Sequence, residues 1–282
     1  MKRRRQAWAP EPPAGEFQFF EDFPSQILGN SRRVVVYLPP GYSAEAKRRH
    51  PVVYLHDGQN VFDPATAAHG VSWQAHRTAD RLLAAGRIPP LILVGICNTP
   101  GRTDEYTVHF DRTEQAGGRG RDYGRFLAHE LKPVIDATYR TRPGREHTAV
   151  VGSSLGGLVS LTIARDHAGQ FGLCGALSPS LWWCGGRLLR EWAADCGWAR
   201  GTRFWLDMGT REGGRGSGFP EGIGPARRLA ACFDAAGLVP GRDYYYTEVA
   251  GGEHDEAAWA ARLDKVLLYF FGATPAARPP GS

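Results

Sequence analysis

The stretch that most constrains this chain is Ala149-Val150-Val151-Gly152-Ser153-Ser154-Leu155-Gly156-Gly157. A β-branched run from Thr148 to Val151 breaks into small residues. Apolar residues at helical spacing follow, namely Leu155, Leu158, Val159, Thr162 and Ile163. That order predicts a strand, a tight turn and a helix. Gly152-Ser153-Ser154-Leu155-Gly156 has the form G-x-S-x-G, the pattern of a nucleophile elbow. Side chains at its two flanking positions would collide across so sharp a turn, which is why both are glycine. Ser154 then stands clear of the sheet at a helix N-terminus, where free N–H groups and the helix dipole favour developing negative charge. The competing reading is a glycine-rich strand-to-helix turn with a capping serine. Ser153 could serve as that cap, one place too early for the G-x-S-x-G register.

Around this stretch, strand-like and helix-like segments alternate. Glu16 to Phe23 and Arg32 to Leu38, separated by Gly29-Asn30, predict an antiparallel hairpin. Short apolar runs at 51–56, 91–97 and 172–177 predict strands buried on both faces, with further strands at 203–208 and 244–249. Helices are predicted over 73–85, 123–139, 188–194, 226–236 and 256–270. The alternation implies an α/β fold with a mostly parallel sheet covered on both faces, its ligands bound beyond the carboxyl ends of the strands. No linker or repeat divides the 282 residues, so one domain over 16–272 is expected, with disordered tails at 1–15 and 273–282. The net charge of +5 is concentrated partly in Lys2-Arg3-Arg4-Arg5. No aromatic-interleaved basic motif follows that run, so it reads as a solvated tail and nucleic acid is not expected as a partner. No apolar stretch approaches a membrane span, and no apolar segment follows the basic start as in a secretory signal. The five cysteines, Cys97, Cys174, Cys184, Cys196 and Cys232, lack metal-ligand spacing and read as reduced thiols in a cytoplasmic protein. No phosphate-binding loop or dinucleotide fingerprint is present, so no metal and no cofactor is expected. Oligomeric state is left open.

A serine hydroxyl needs a base, and the base needs a carboxylate to hold its tautomer. In this architecture the chain order is serine, acid, histidine. His129 and His147 precede the elbow, and His167 ends the elbow helix, where it suits a C-cap. His254, in the loop Gly251-Gly252-Glu253-His254 after the last strand, is therefore the expected base. Two carboxylates follow the strand at 203–208. Glu212 lies past the strand end, level with the other loops, and is preferred. Asp207 lies within the strand, where it could instead accept hydrogen bonds from loop N–H groups. The oxyanion donors expected are the Leu155 N–H and, from the loop His56-Asp57-Gly58-Gln59-Asn60, the Gln59 N–H.

Six ordered motifs now carry a family resemblance: Tyr37-Leu38-Pro39-Pro40-Gly41-Tyr42, Tyr54-Leu55-His56-Asp57-Gly58-Gln59, Gly152-Ser153-Ser154-Leu155-Gly156-Gly157, Ser178-Pro179-Ser180-Leu181-Trp182-Trp183, Gly209-Thr210-Arg211-Glu212 and Gly252-Glu253-His254-Asp255. Over roughly residues 17–271 the chain resembles the α/β-hydrolase "putative esterase" family. That family includes siderophore (enterochelin-type) esterases, feruloyl and acetyl-xylan esterases, S-formylglutathione hydrolase and the mycolyltransferases. The resemblance implies an α/β-hydrolase fold, a triad at Ser154, Glu212 and His254, and oxyanion donors at Gln59 and Leu155. The family more often has Asp at the acid position, so Glu212 departs from the common pattern.

For the substrate, Trp182 and Trp183 after a strand end, with Tyr106, Phe62 and Phe219 on neighbouring loops, suggest an aromatic rim suited to an ester with an aromatic or apolar group. The two tryptophans could equally pack the helix that follows. Arg102 or Arg211 could hold an anionic group. Hydrolysis of a small-molecule carboxylic ester is the leading function. Acyl transfer to an alcohol uses the same residues, and a non-catalytic binding protein on the same scaffold is the third reading.

Overall fold

Glu16–Ser25 (β1) and Asn30–Leu38 (β2) form the predicted antiparallel hairpin, turning at Gly29 with φ 69°. The structure, a computed structural model, describes residues 14–213 and 222–272. Six further strands follow: Val52–His56 (β3), Ile92–Ile96 (β4), Thr148–Ser153 (β5), Leu173–Leu177 (β6), Arg203–Gly209 (β7) and Tyr244–Val249 (β8). They form one sheet in the order β1-β2-β4-β3-β5-β6-β7-β8. The hairpin joins β4 antiparallel, and every pairing from β4 through β8 is parallel. Every residue of β3, β4, β5 and β6 is buried, as short apolar runs without alternation require.

Nine helices are described: Ala75–Ala84 (α1), Arg102–Tyr106 (α2), Gly120–Phe126 (α3), Lys132–Thr138 (α4), Leu155–Asp166 (α5), Trp183–Ala194 (α6), Gly224–Ala235 (α7), Glu256–Ala260 (α8) and Leu263–Phe271 (α9). The pleat of β2 shows how they divide between two layers. Val34, Val36 and Leu38 pack into one core with residues of α3, α5, α6 and α7. Val35 and Tyr37 point the other way, into a core with α1, α8 and α9. This two-faced, mostly parallel sheet with an antiparallel edge is the α/β-hydrolase arrangement the sequence predicts.

Three helices differ from expectation for identifiable reasons. The helix expected over 123–139 opens into a π turn at Leu127–Leu131 just before Pro133, which has no N–H to donate. The last helix divides into α8 and α9 at Arg262, whose side chain is drawn into the protein to pair with Asp207. Helix α6 starts at Trp183, but Cys184, Gly185 and Gly186 have positive φ, so regular helix begins near the predicted Leu188. The expectation of five reduced thiols is corrected at one pair. Cys196, just after α6, and Cys232, in α7, form a disulfide with Cα atoms 5.7 Å apart. Packing of two helices brings them together, and a separation of 36 residues carries no sign of it. Among the described residues no helix is long and apolar enough to cross a membrane.

Candidate active site

Ser154 links β5 to α5 with φ 57° and ψ −125°, a conformation non-glycine residues rarely hold. Its N–H donates to the Leu177 carbonyl (3.0 Å), and its own carbonyl accepts from the N–H groups of Leu158 (3.1 Å) and Ser180 (3.0 Å). The glycine that opens the turn answers to sterics. A Cβ on Gly152 would lie 2.6 Å from the carbonyl carbon of Gly156 and 2.9 Å from His56 Cδ2.

The serine Oγ lies 3.0 Å from His254 Nε2 and 3.2 Å from Ser180 Oγ. His254 Nδ1 is 2.8 Å from Glu212 Oε2, and its ring meets Trp259 edge-on at 4.8 Å. The Glu212 side chain is fully buried, and its second oxygen, Oε1, accepts from Ser178 Oγ and the Gly209 N–H, both at 2.6 Å. A carboxylate out of water needs such donors to stay charged. Asp207, within β7 itself, takes different partners: Trp205 Nε1 at 2.7 Å, Arg262 Nη1 at 2.9 Å and the Ser178 N–H at 3.2 Å. Burial pushes its pKa up to about 6, against the opposing pull of Arg262.

Ser178 ties these groups together. Besides donating to Glu212, its Oγ accepts from Trp259 Nε1 (3.0 Å) and Arg262 Nη2 (3.2 Å). Sequence reasoning singled out none of Ser178, Trp259 and Arg262 as supports of the Glu212 carboxylate. The available signal was Arg262 itself, a cation inside the apolar pattern of Trp259, Leu263 and Val266.

The loop after β3 is held as firmly. Gly58 packs on β4 so closely that a Cβ would lie 2.5 Å from the Gly95 carbonyl carbon. Asp57 adopts the left-handed conformation (φ 54°, ψ 48°). Its N–H donates to Tyr106 Oη at 3.2 Å. Its carboxylate takes two hydrogen bonds from Arg102, at 2.7 and 2.8 Å, and one from Asn98 Nδ2 at 2.5 Å. Gln59 is pinned on both sides: its carbonyl accepts from Thr66 Oγ1 (2.7 Å) and its side chain from the Asn98 N–H (3.2 Å). Gly58 and Gln59 open a 3₁₀ turn and Leu155 opens α5, so none of their N–H groups has an acceptor within its own helix.

The aromatic rim is corrected at Tyr106, Phe62 and Trp183. Tyr106 is fully buried under the Asp57 loop, and Phe62, packed against Gly95, lines a cavity that includes neither Ser154 nor His254. Trp183 is buried with its indole N–H donating to the His109 carbonyl (2.9 Å), while Trp182 is half-buried on the same core. Phe219 lies outside the described residues. Arg102, expected to reach an anionic substrate, spends its fork on Asp57. Tyr106, Trp183 and Arg102 are each held by a partner distant in sequence.

His56, beneath the elbow, carries a stability prediction. It is buried, with Nδ1 3.0 Å from Tyr123 Oη, and loss of solvent pushes its pKa down to about 3, although the charge of Asp57 opposes this. The unfolded chain therefore takes up a proton near the ordinary value of 6.5 that the native state refuses. This contribution to stability is full above that pH and is lost as pH falls toward 3, at about 1.4 kcal/mol per pH unit. Urea denaturation at pH 7, 6 and 5 should show a steeper acid loss in the wild type than in His56→Gln. Parallel slopes would exclude His56 as the cause.

Comparison with known proteins follows the same lines. The model of the "Putative esterase" family matches residues 25–270. An uncharacterized protein, YbbA, of Bacillus subtilis is 29% identical over 164 residues, covering 56% of this chain and 61% of the relative. The endo-1,4-beta-xylanase/feruloyl esterase of Xylanibacter ruminicola is 27% identical over 259 residues, covering 88% of this chain and 30% of the relative. The iron(III) salmochelin esterase of Escherichia coli O6:H1 is 30% identical over 201 residues, covering 66% and 44% respectively. The chain thus spans less than two thirds of the length of each of these relatives. Among solved structures, the fold is shared with an IroE-like serine hydrolase from Shewanella oneidensis (TM-score 0.73, 23% identity, 91% of this chain and 80% of that one). It is also shared with the enterobactin esterase FES from Shigella flexneri (TM-score 0.68, 23% identity, 93% and 60%). With the family model spanning almost the whole of the sheet and its helices, the chain belongs to the "Putative esterase" family.

Proposed function

We propose that this protein is a serine carboxylic-ester hydrolase in which Ser154 is the nucleophile, His254 the base and Glu212 the acid that orients it. The observation that carries this reading is the unbroken chain from Ser154 Oγ to His254 Nε2 (3.0 Å) and from His254 Nδ1 to Glu212 Oε2 (2.8 Å). As Oγ attacks the ester carbonyl carbon, its proton passes to Nε2, and the buried Glu212 carboxylate stabilises the imidazolium. The carbonyl oxygen becomes an oxyanion held by the N–H groups of Leu155 and Gln59. His254 then protonates the departing alcohol, leaving an acyl group on Ser154. Water, deprotonated by the same imidazole, attacks this acyl-enzyme and frees the acid. Because the imidazole must be neutral to accept the first proton, acylation slows when acid protonates it.

The substrate class proposed is a small-molecule ester of siderophore, feruloyl or acetyl type with an aromatic or apolar group. The test is a panel of p-nitrophenyl acetate through decanoate, methyl ferulate and a catecholate trilactone, with product analysis in the presence of added alcohols. Absence of turnover on every ester, with the protein folded, would defeat the proposal.

The Asp57 clamp has its own expected result. Asparagine tolerates the left-handed conformation, so Asp57→Asn preserves the backbone preference while removing the charge that grips Arg102. A slackened loop misaims the Gln59 N–H. That should lower kcat by about tenfold to a hundredfold with KM little changed, since the oxyanion forms only during reaction. Unaltered kcat in a folded Asp57→Asn protein would remove the loop from the mechanism.

A further inference from the structure

A cavity of about 400 Å³ lies beside the candidate site without including Ser154 or His254. It meets the site at Gly58 and Gln59, the loop assigned above to the oxyanion. Its volume falls within the range of small-molecule sites. The walls are aromatic. Phe17 meets Phe62 edge-on at 5.3 Å and His76 edge-on at 5.2 Å. Phe17 and Phe19 come from the edge strand β1 and remain 38% and 50% exposed, unusual for two phenylalanines one pleat apart. The Arg33 guanidinium lies 4.8 Å from the centre of the Phe19 ring, and Arg77 adds a second cation.

The charge of this pocket is asymmetric. Asp63 is its one carboxylate, and Asp63 Oδ1 already accepts from the Ala65 N–H. Glu21 pairs with Arg33 from outside at 3.0 Å, but that pair is solvent-exposed at both ends, and such pairs exchange at little cost. Arg33 therefore offers both a face for stacking and donors for an anion. Cys97 also lines the cavity, but burial pushes its thiol up to about 11, so it supplies no second nucleophile.

Position sets what part of a substrate could reach here. Ser154 follows β5, and the Val35 wall belongs to β2, three strands away in the order β2-β4-β3-β5. At the usual strand spacing that is about 14 Å. We infer that this cavity is a subsite for an aryl group bearing an anionic oxygen, carried at the end of the ester substrate remote from the bond that is cut. The inference rests on the esterase reading for the identity of the ligand. The shape and charge of the cavity stand apart from that reading.

The experiment separates the two. In the first arm, 2-naphthoate and neutral 2-naphthalenemethanol are titrated calorimetrically into the wild type, Arg33→Gln and Phe19→Ala. Naphthoate should bind more tightly than the alcohol, and each substitution should weaken it by about tenfold. Both positions are partly exposed, so neither change should unfold the protein, and circular dichroism checks this. In the second arm, p-nitrophenyl 6-(4-carboxyphenoxy)hexanoate is compared with p-nitrophenyl hexanoate. The wild type should prefer the carboxyaryl ester in kcat/KM, and Arg33→Gln should cut that preference by about tenfold. Naphthoate binding that is absent, no tighter than that of the alcohol, or insensitive to both substitutions overturns the subsite whether or not esters are cleaved. Tight, Arg33-dependent naphthoate binding without turnover of either ester keeps an aryl-anion site and defeats the esterase reading instead. Turnover of both esters with no preference shows that the cavity does not serve the substrate.

Discussion

Ser154→Ala is expected to lower ester turnover by about 10⁴ to 10⁶-fold while the protein stays folded. The reason lies in how little of the elbow depends on the hydroxyl. The turn is held by the backbone: the Ser154 N–H on the Leu177 carbonyl, and the Leu158 and Ser180 N–H groups on the Ser154 carbonyl. Alanine keeps all three bonds and leaves the left-handed φ as it was. What vanishes is the hydroxyl oxygen 3.0 Å from His254 Nε2. Any residual rate would then come from the oxyanion donors acting on water, a far weaker route. Activity above a few per cent in a purified variant free of host esterases would end the assignment of Ser154. A sulfonyl fluoride should label Ser154 in the wild type, and a label found by mass spectrometry on another serine would have the same force.

How much of this was legible before the fold depends on whether the governing constraint is local. The elbow was, because the clash that demands Gly152, against the Gly156 backbone, acts within five residues. The alternation of strands and helices was, because burial on both faces writes a continuous apolar run into each inner strand. Glu212 could be preferred over Asp207 from its place past the end of β7, and the fold brings it within 2.8 Å of His254 Nδ1. The errors share the opposite character. Position after a strand end suggests that Tyr106 and Arg102 face substrate, yet Asp57, 49 and 45 residues away, is hydrogen-bonded to both. The Cys196–Cys232 disulfide likewise depends on the packing of α6 and α7, which no local pattern encodes. A polar or aromatic side chain near the carboxyl end of a strand reads the same from sequence whether it meets a ligand or supports the loop that does.

That distinction is sharpest for the two carboxylates. Glu212→Gln should lower the turnover number by about 10² to 10⁴-fold with KM little changed. The amide keeps the shape, but it cannot stabilise an imidazolium, and its NH₂ either faces the Nδ1 proton or forces the other tautomer on His254. Its stability effect should be small, because the amide oxygen can still accept from Ser178 Oγ and the Gly209 N–H. Asp207→Asn should behave in the reverse way. It strips the charge facing Arg262, which is itself buried and whose next carboxylate, Glu212, stands at 3.8 Å. Leaving that cation short of a partner should cost about 2–3 kcal/mol of stability. The effect on turnover should be secondary, passed on through Ser178 and the pose of Glu212. Both variants would be measured for thermal midpoint and for turnover on one activated ester. Near-normal turnover in Glu212→Gln, together with lost turnover in a stably folded Asp207→Asn, would transfer the acid role to Asp207. It would also mean that His254 swings away from the 2.8 Å contact during reaction, since Asp207 is committed to Trp205, Ser178 and Arg262.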